Sequence, residues 1–131
     1  MSHCLLATRP SNKRAGEESH RHAYVDATFE EMLAFFRHAG IAPSELEVKL
    51  FGGADVIEVL SGPKSVGSEN INAAHRVMAH HGLRLAAYDT GGKVGRKIQF
   101  ATLTGGVRVH RMRSAADQEY AYTAALQPVM A

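Results

Sequence analysis

Between residues 46 and 88 the hydrophobic period changes twice, and that switching limits the possible folds more than any other feature of the sequence. Leu46, Val48 and Leu50 alternate with Glu47 and Lys49, which is the period of a strand with one apolar face. Ile71, Ala74, Val77 and Met78 then recur at helical spacing, predicting a helix over 70–81 that Gly82 ends. Leu83, Leu85 and Ala87 return to period two, predicting a strand over 83–88. Upstream, Val25, Phe29, Met32, Leu33 and Phe36 share one face of a helix over 25–39. Asp26 or Thr28 stands where that helix needs a cap, Glu30 and Glu31 suit its positive end, and His38 with Gly40 suits its close.

The remaining segments fit around this frame. His3 to Ala7 reads as a short strand, with Cys4 and Leu6 on one side and His3 and Leu5 on the other. Residues 8–22 read as an exposed loop rich in turn formers. Gly52-Gly53-Ala54, Ser61-Gly62-Pro63-Lys64 and Asp89-Thr90-Gly91-Gly92 are turns, and Val56 to Leu60 is an apolar piece of strand or loop. A strand over 96–102 with Ile98 and Phe100 inward turns at Thr104-Gly105-Gly106 into a strand over 107–112. The sequence predicts an α/β domain over 1–112, with a mixed or largely antiparallel sheet and at least two packed helices. Residues 113–131 follow as a tail or docking helix.

Charge and cysteine content narrow the functional classes. The 131 residues carry 15 Lys and Arg against 13 Asp and Glu, a net +2 that makes no polybasic nucleic-acid face. No apolar run reaches the roughly 18–20 residues of a membrane span, so no membrane insertion is expected. One cysteine makes neither an internal disulfide nor a cysteine-based zinc site, and it suits the reducing cytoplasm. The glycine-rich 89–95 stretch lacks the Lys-Ser/Thr ending and following helix of a phosphate loop. Neither a dinucleotide fingerprint nor a Ser/His/Asp signature is present, and no cofactor or metal is called for.

Chemistry concentrates at the N-terminus, where the single cysteine, Cys4, adjoins His3. A thiol beside an imidazole is how thiol nucleophiles are built, because the base holds the thiolate. Consecutive strand residues point to opposite faces, however, so Cys4 faces away from whatever His3 faces. The expectation for Cys4 is a small core hydrophobe. His20 and His22 read as solvated loop residues, and His80 and His81 as partners of a helix dipole.

Taken in order, certain stretches resemble the chemoreceptor glutamine deamidase (CheD) family of bacterial and archaeal chemotaxis. They are Met1-Ser2-His3 with Leu5-Leu6, Tyr24 with Asp26, and Lys49-Leu50-Phe51-Gly52-Gly53-Ala54. Val66-Gly67-Ser68-Glu69-Asn70, Asp89-Thr90-Gly91-Gly92, Gly95-Arg96-Lys97-Ile98-Gln99-Phe100 and Thr104-Gly105-Gly106-Val107-Arg108-Val109 complete the set. The resemblance spans Ser2 to Met112 and implies a layered α/β sandwich. It also implies a cytoplasmic protein-glutamine glutaminase that turns receptor glutamines into glutamates by Cys/His thiol acyl transfer. His3 matches the family's catalytic histidine. Methyl-accepting chemoreceptors are the implied substrates and a CheC-type phosphatase an implied partner.

The family carries its nucleophilic cysteine and a threonine ahead of that histidine, the cysteine in a Gly-Ser-Cys turn. The present sequence opens just before the histidine and contains neither, which is the expectation for a deamidase whose sequence begins late. The alternative expectation is a non-catalytic relative that binds receptors or a CheC-type phosphatase.

Overall fold

The computed structural model describes residues 1–11, 22–56 and 64–112. The expectations for residues 12–21, for 57–63 (including most of the apolar 56–60 stretch) and for the 113–131 tail lie outside them. The chain divides into two compact units, Met1–Gly92 and one beginning at Lys93.

In the first unit, helix α1 spans Val25–His38 and helix α2 spans Val66–His81, joined through strand β1, Glu47–Gly52. Strand β2, Arg84–Thr90, follows α2 and pairs with β1 in parallel, with Glu47 beside Arg84 and Gly52 beside Thr90. A strand–helix–strand connection is the route by which two strands align in parallel, because a tight hairpin turn gives only the antiparallel pairing. Of the expected mixed or largely antiparallel pairing, the mixed form is found, as this parallel pair and a separate antiparallel hairpin. The register slips once between Val48 and Lys49.

Both predicted helices form, with edges and faces adjusted. Neither Asp26 nor Thr28 caps α1: the N-cap is Tyr24, without a side-chain cap bond. Thr28 is buried and its hydroxyl donates to the His22 carbonyl at 3.2 Å. Leu33 and Val25 are buried as expected, whereas Met32 of the predicted stripe lies at the surface. Helix α2 starts four residues before the predicted 70, because the Ser65 hydroxyl accepts from Ser68 N–H at 3.1 Å and caps it. Gly82 ends it in the left-handed conformation, φ 62°, as predicted. The core gathers Val25, Ala73 and Ala74, with Cys4, Ala7, Phe29 and Leu50 packed against it. Small residues on α2, Ala73 and Ala74, let α1 approach closely and Leu50 of β1 pack against them.

The predicted N-terminal strand is reduced to one bridge. Leu6 pairs with Tyr24, and the alternation breaks there, since Ala7 rather than Leu6 turns to the core. What holds the segment is its backbone: Leu5 and Leu6 N–H donate to Ala23 O, and Val25 N–H donates to Leu6 O, all within 2.9 Å.

The described part of the second unit is an antiparallel hairpin of β3, Arg96–Phe100, and β4, Val107–Arg111. Gly105 takes φ 69° at the turn, a conformation that only glycine adopts without strain. The expected strands each stop one or two residues sooner than the sequence suggested.

Candidate active site

The glycine turns and the start of α2 converge at one end of the parallel pair. Gly91 N–H donates to Gly52 O at 2.9 Å, tying the ends of β1 and β2 together, and Asp55 N–H donates to Gly92 O at 2.8 Å. Gly53 holds φ 64° and Gly92 φ 74°. Gly67, in the first turn of α2, lies so near Gly53 that a Cβ there would sit 2.4 Å from the Gly53 carbonyl oxygen. Three stretches that are far apart in sequence, 49–54, 66–70 and 89–92, thus form one packed apex. Open α/β folds use this end of parallel strands for ligands.

The N-terminal segment is fastened to the same helix. Asn70 Nδ2 donates to Leu5 O at 3.2 Å across 65 residues of sequence. Downstream, the Asp26 carboxylate accepts Arg9 N–H through both oxygens at 3.1 Å, and Ala27 N–H at 2.7 Å. Asp26 therefore anchors the exit of the segment rather than capping α1. Sequence reasoning missed both anchors: Asn70 carries no local signal of a partner 65 positions away, and Asp26 sits where a cap is the ordinary reading.

The segment presents its two reactive side chains differently. Cys4 is partly buried and packs on Val25, Ala73 and Ala74, its sulfur 4.0 Å from the Ser2 hydroxyl. His3 is exposed. Adjacent in sequence, the two differ in burial, His3 being exposed and Cys4 partly buried. Close by, Ser2, His22, Thr28, Glu31 and Phe35 line a shallow open groove beside α1, with His22 Nδ1 3.6 Å from Glu31. His22 is exposed there, and His20 lies outside the described residues.

His81 does more than complement a helix dipole. Its imidazole is 13% exposed, with Nε2 2.6 Å from Glu30 Oε1 and Nδ1 3.2 Å from Arg37. An Arg guanidinium only donates, so Nδ1 accepts and Nε2–H donates to the carboxylate. The residue bridges the C-terminal end of α2 to two turns of α1.

The sequence model described as CheD chemotactic sensory transduction matches residues 5–111. The chain belongs to the CheD family. Among the proteins it resembles is one named probable chemoreceptor glutamine deamidase CheD 2 from Geobacter sulfurreducens, 45% identical over 95 residues, covering 72% of this chain and 59% of the relative. Two named probable chemoreceptor glutamine deamidase CheD follow. The one from Thermococcus kodakarensis is 38% identical over 82% of this chain and 68% of its own length. The one from Maridesulfovibrio salexigens is 36% identical over 84% of this chain and 68% of its own. The chain spans between 59% and 68% of these relatives. The CheD match opens at Leu5, two residues after His3. Among the described residues, no helix is long and apolar enough to cross a membrane.

Proposed function

We propose that this chain is a chemoreceptor glutamine deamidase of the CheD family, with His3 as its general base and acid. The observation that carries the reading is the CheD match over 5–111, joined to relatives whose names state that activity. The substrate is the side-chain amide of a receptor glutamine. His3 takes the thiol proton, the thiolate adds to the amide carbon, and the imidazolium returns the proton to the departing nitrogen, so ammonia leaves and a thioester remains. Water, relieved of a proton by the same imidazole, then breaks the thioester to give glutamate and the free thiol. The thiol is that of the Gly-Ser-Cys turn which the resemblance places ahead of this histidine. Cys4 is not proposed as its substitute, because it is partly buried against Val25, Ala73 and Ala74. On this reading the protein works in the cytoplasm, folds as the layered α/β sandwich of the family and meets a CheC-type phosphatase.

A receptor cytoplasmic fragment tests the reading by mass spectrometry of its glutamines and by ammonia release. Conversion by protein carrying the Gly-Ser-Cys turn, lost in His3→Ala, supports it; conversion that persists in His3→Ala sinks the role of His3. Conversion by the 131-residue chain that disappears in Cys4→Ala would instead make Cys4 the nucleophile.

A second reading is favoured by one observation: Cys4, the single cysteine of this sequence, is partly buried against the core. The chain would then bind receptor or phosphatase without turnover. Saturable binding of the receptor fragment, with no glutamate formed even when the Gly-Ser-Cys turn is supplied, would select it.

A further inference from the structure

We infer that the β3–β4 hairpin is a docking surface for an acidic segment of the protein substrate. This rests on the deamidase reading, in which each converted glutamine leaves a carboxylate on the substrate. Residues 93–112 contain five of the chain's 15 Lys and Arg and none of its 13 Asp and Glu. The net charge of +2 is thus +5 on this stretch against −3 on the rest of the chain. The total conceals a strong local field.

The hairpin register concentrates that charge. Lys97 stands opposite His110 and Gln99 opposite Arg108. Side chains alternate across a strand, so these four share one face, while Ile98, Phe100, Val107 and Val109 share the other. Gln99, Arg108 and His110 are exposed and Lys97 partly so. Placing a lysine directly across from a histidine is unfavourable whenever the imidazole is protonated, since like charges that face each other across a strand pair repel. A carboxylate-bearing partner removes that cost, and Arg108 offers it a planar two-pronged donor.

Other anionic partners fit less well. Of these four residues only His110 carries a ring, short of the successive stacking platforms that single-stranded nucleic acid uses. Leu103 at the turn is 96% exposed, Phe100 40% and Val94 39%, an apolar area still too small to hold the hairpin on a bilayer. Glutamates on a protein substrate match the charge without either feature.

The test uses the full chain, a fluorescein-labelled Glu-Ala repeat peptide, and the same peptide with Gln for Glu, read by anisotropy. The Glu peptide should bind at least about tenfold more tightly than the Gln peptide, and raising salt from about 50 to about 200 mM should weaken it. The double variant Lys97→Glu, Arg108→Glu should lose the preference, with its melting temperature unchanged. The neutral variant Lys97→Gln, Arg108→Gln should fall between. Equal binding of the two peptides, undiminished binding by both variants, or preferential capture of phosphatidylglycerol vesicles or duplex DNA over the Glu peptide would overturn the inference. The readout needs no turnover, so a failure to deamidate bears on the proposed function alone and a failure to bind the peptide bears on the hairpin alone.

Discussion

Gly67→Ala tests the apex on which the arrangement of the site depends. The substitution adds one methyl in the first turn of α2, where Ala is otherwise the better helix former by about 0.8–1 kcal/mol in a helix interior and by less near an end. No positive φ is relieved or imposed, since Gly67 is not among the residues with φ above zero. The sign therefore rests on space. The new carbon would lie 2.4 Å from Gly53 O, 2.8 Å from Gly53 C and 3.0 Å from Asp55 Oδ1. Unstrained contacts begin near 3.5 Å, so the start of α2 and the end of β1 must part by about 1 Å. Two of the three obstructing atoms are backbone and cannot rotate away. Overpacking of this kind costs about 1–3 kcal/mol, and the helix gain offsets only part of it. A net loss of about 1–2 kcal/mol lowers the melting temperature by about 4–8 °C in a chain of this size. Thermal and urea unfolding followed by circular dichroism measure it. A melting temperature equal to or above that of the parent would refute the packed apex.

Other parts of the fold make separate predictions. Ser65→Ala removes the α2 cap and should cost about 1 kcal/mol, read as a lower urea midpoint with unchanged slope. His81→Ala cuts both links from α2 to α1 and should cost about 1 kcal/mol, since Glu30 is half exposed and its share is screened. Hydrogen exchange should then quicken at the C-terminal ends of both helices and not around residues 5–7. The Cys4 thiol should react with Ellman's reagent more slowly in the folded protein than in urea, because Cys4 is partly buried against the core.

Much of the frame was legible from periodicity. Stripes such as Val25–Leu33 and Ala74–Met78 identify helices because every third or fourth residue must meet a core, and the two strands flanking α2 alternate for the same reason. The start of α2 is harder to read because Val66-Gly67 looks like loop; its real signal is Ser65, a hydroxyl positioned to cap. The mixed pairing is legible because a helix lies between β1 and β2 in sequence, whereas a short turn joins β3 and β4. The N-terminal strand failed as a prediction because alternation over five residues says nothing about available neighbours, and here only Leu6 finds one. At the site, the partial burial of Cys4 matches the usual behaviour of a free cysteine as a small hydrophobe. The Asn70 and Asp26 anchors, and the bridge made by His81, are long-range contacts with no local pattern to announce them. The hairpin's charge was hidden by averaging over the whole chain.

The most direct test is mass spectrometry of a receptor cytoplasmic fragment incubated with the protein bearing the Gly-Ser-Cys turn ahead of His3, parent against His3→Ala. Glutamine-to-glutamate conversion by the parent and its loss in His3→Ala is the predicted result; conversion at the parental rate without His3 would contradict the account.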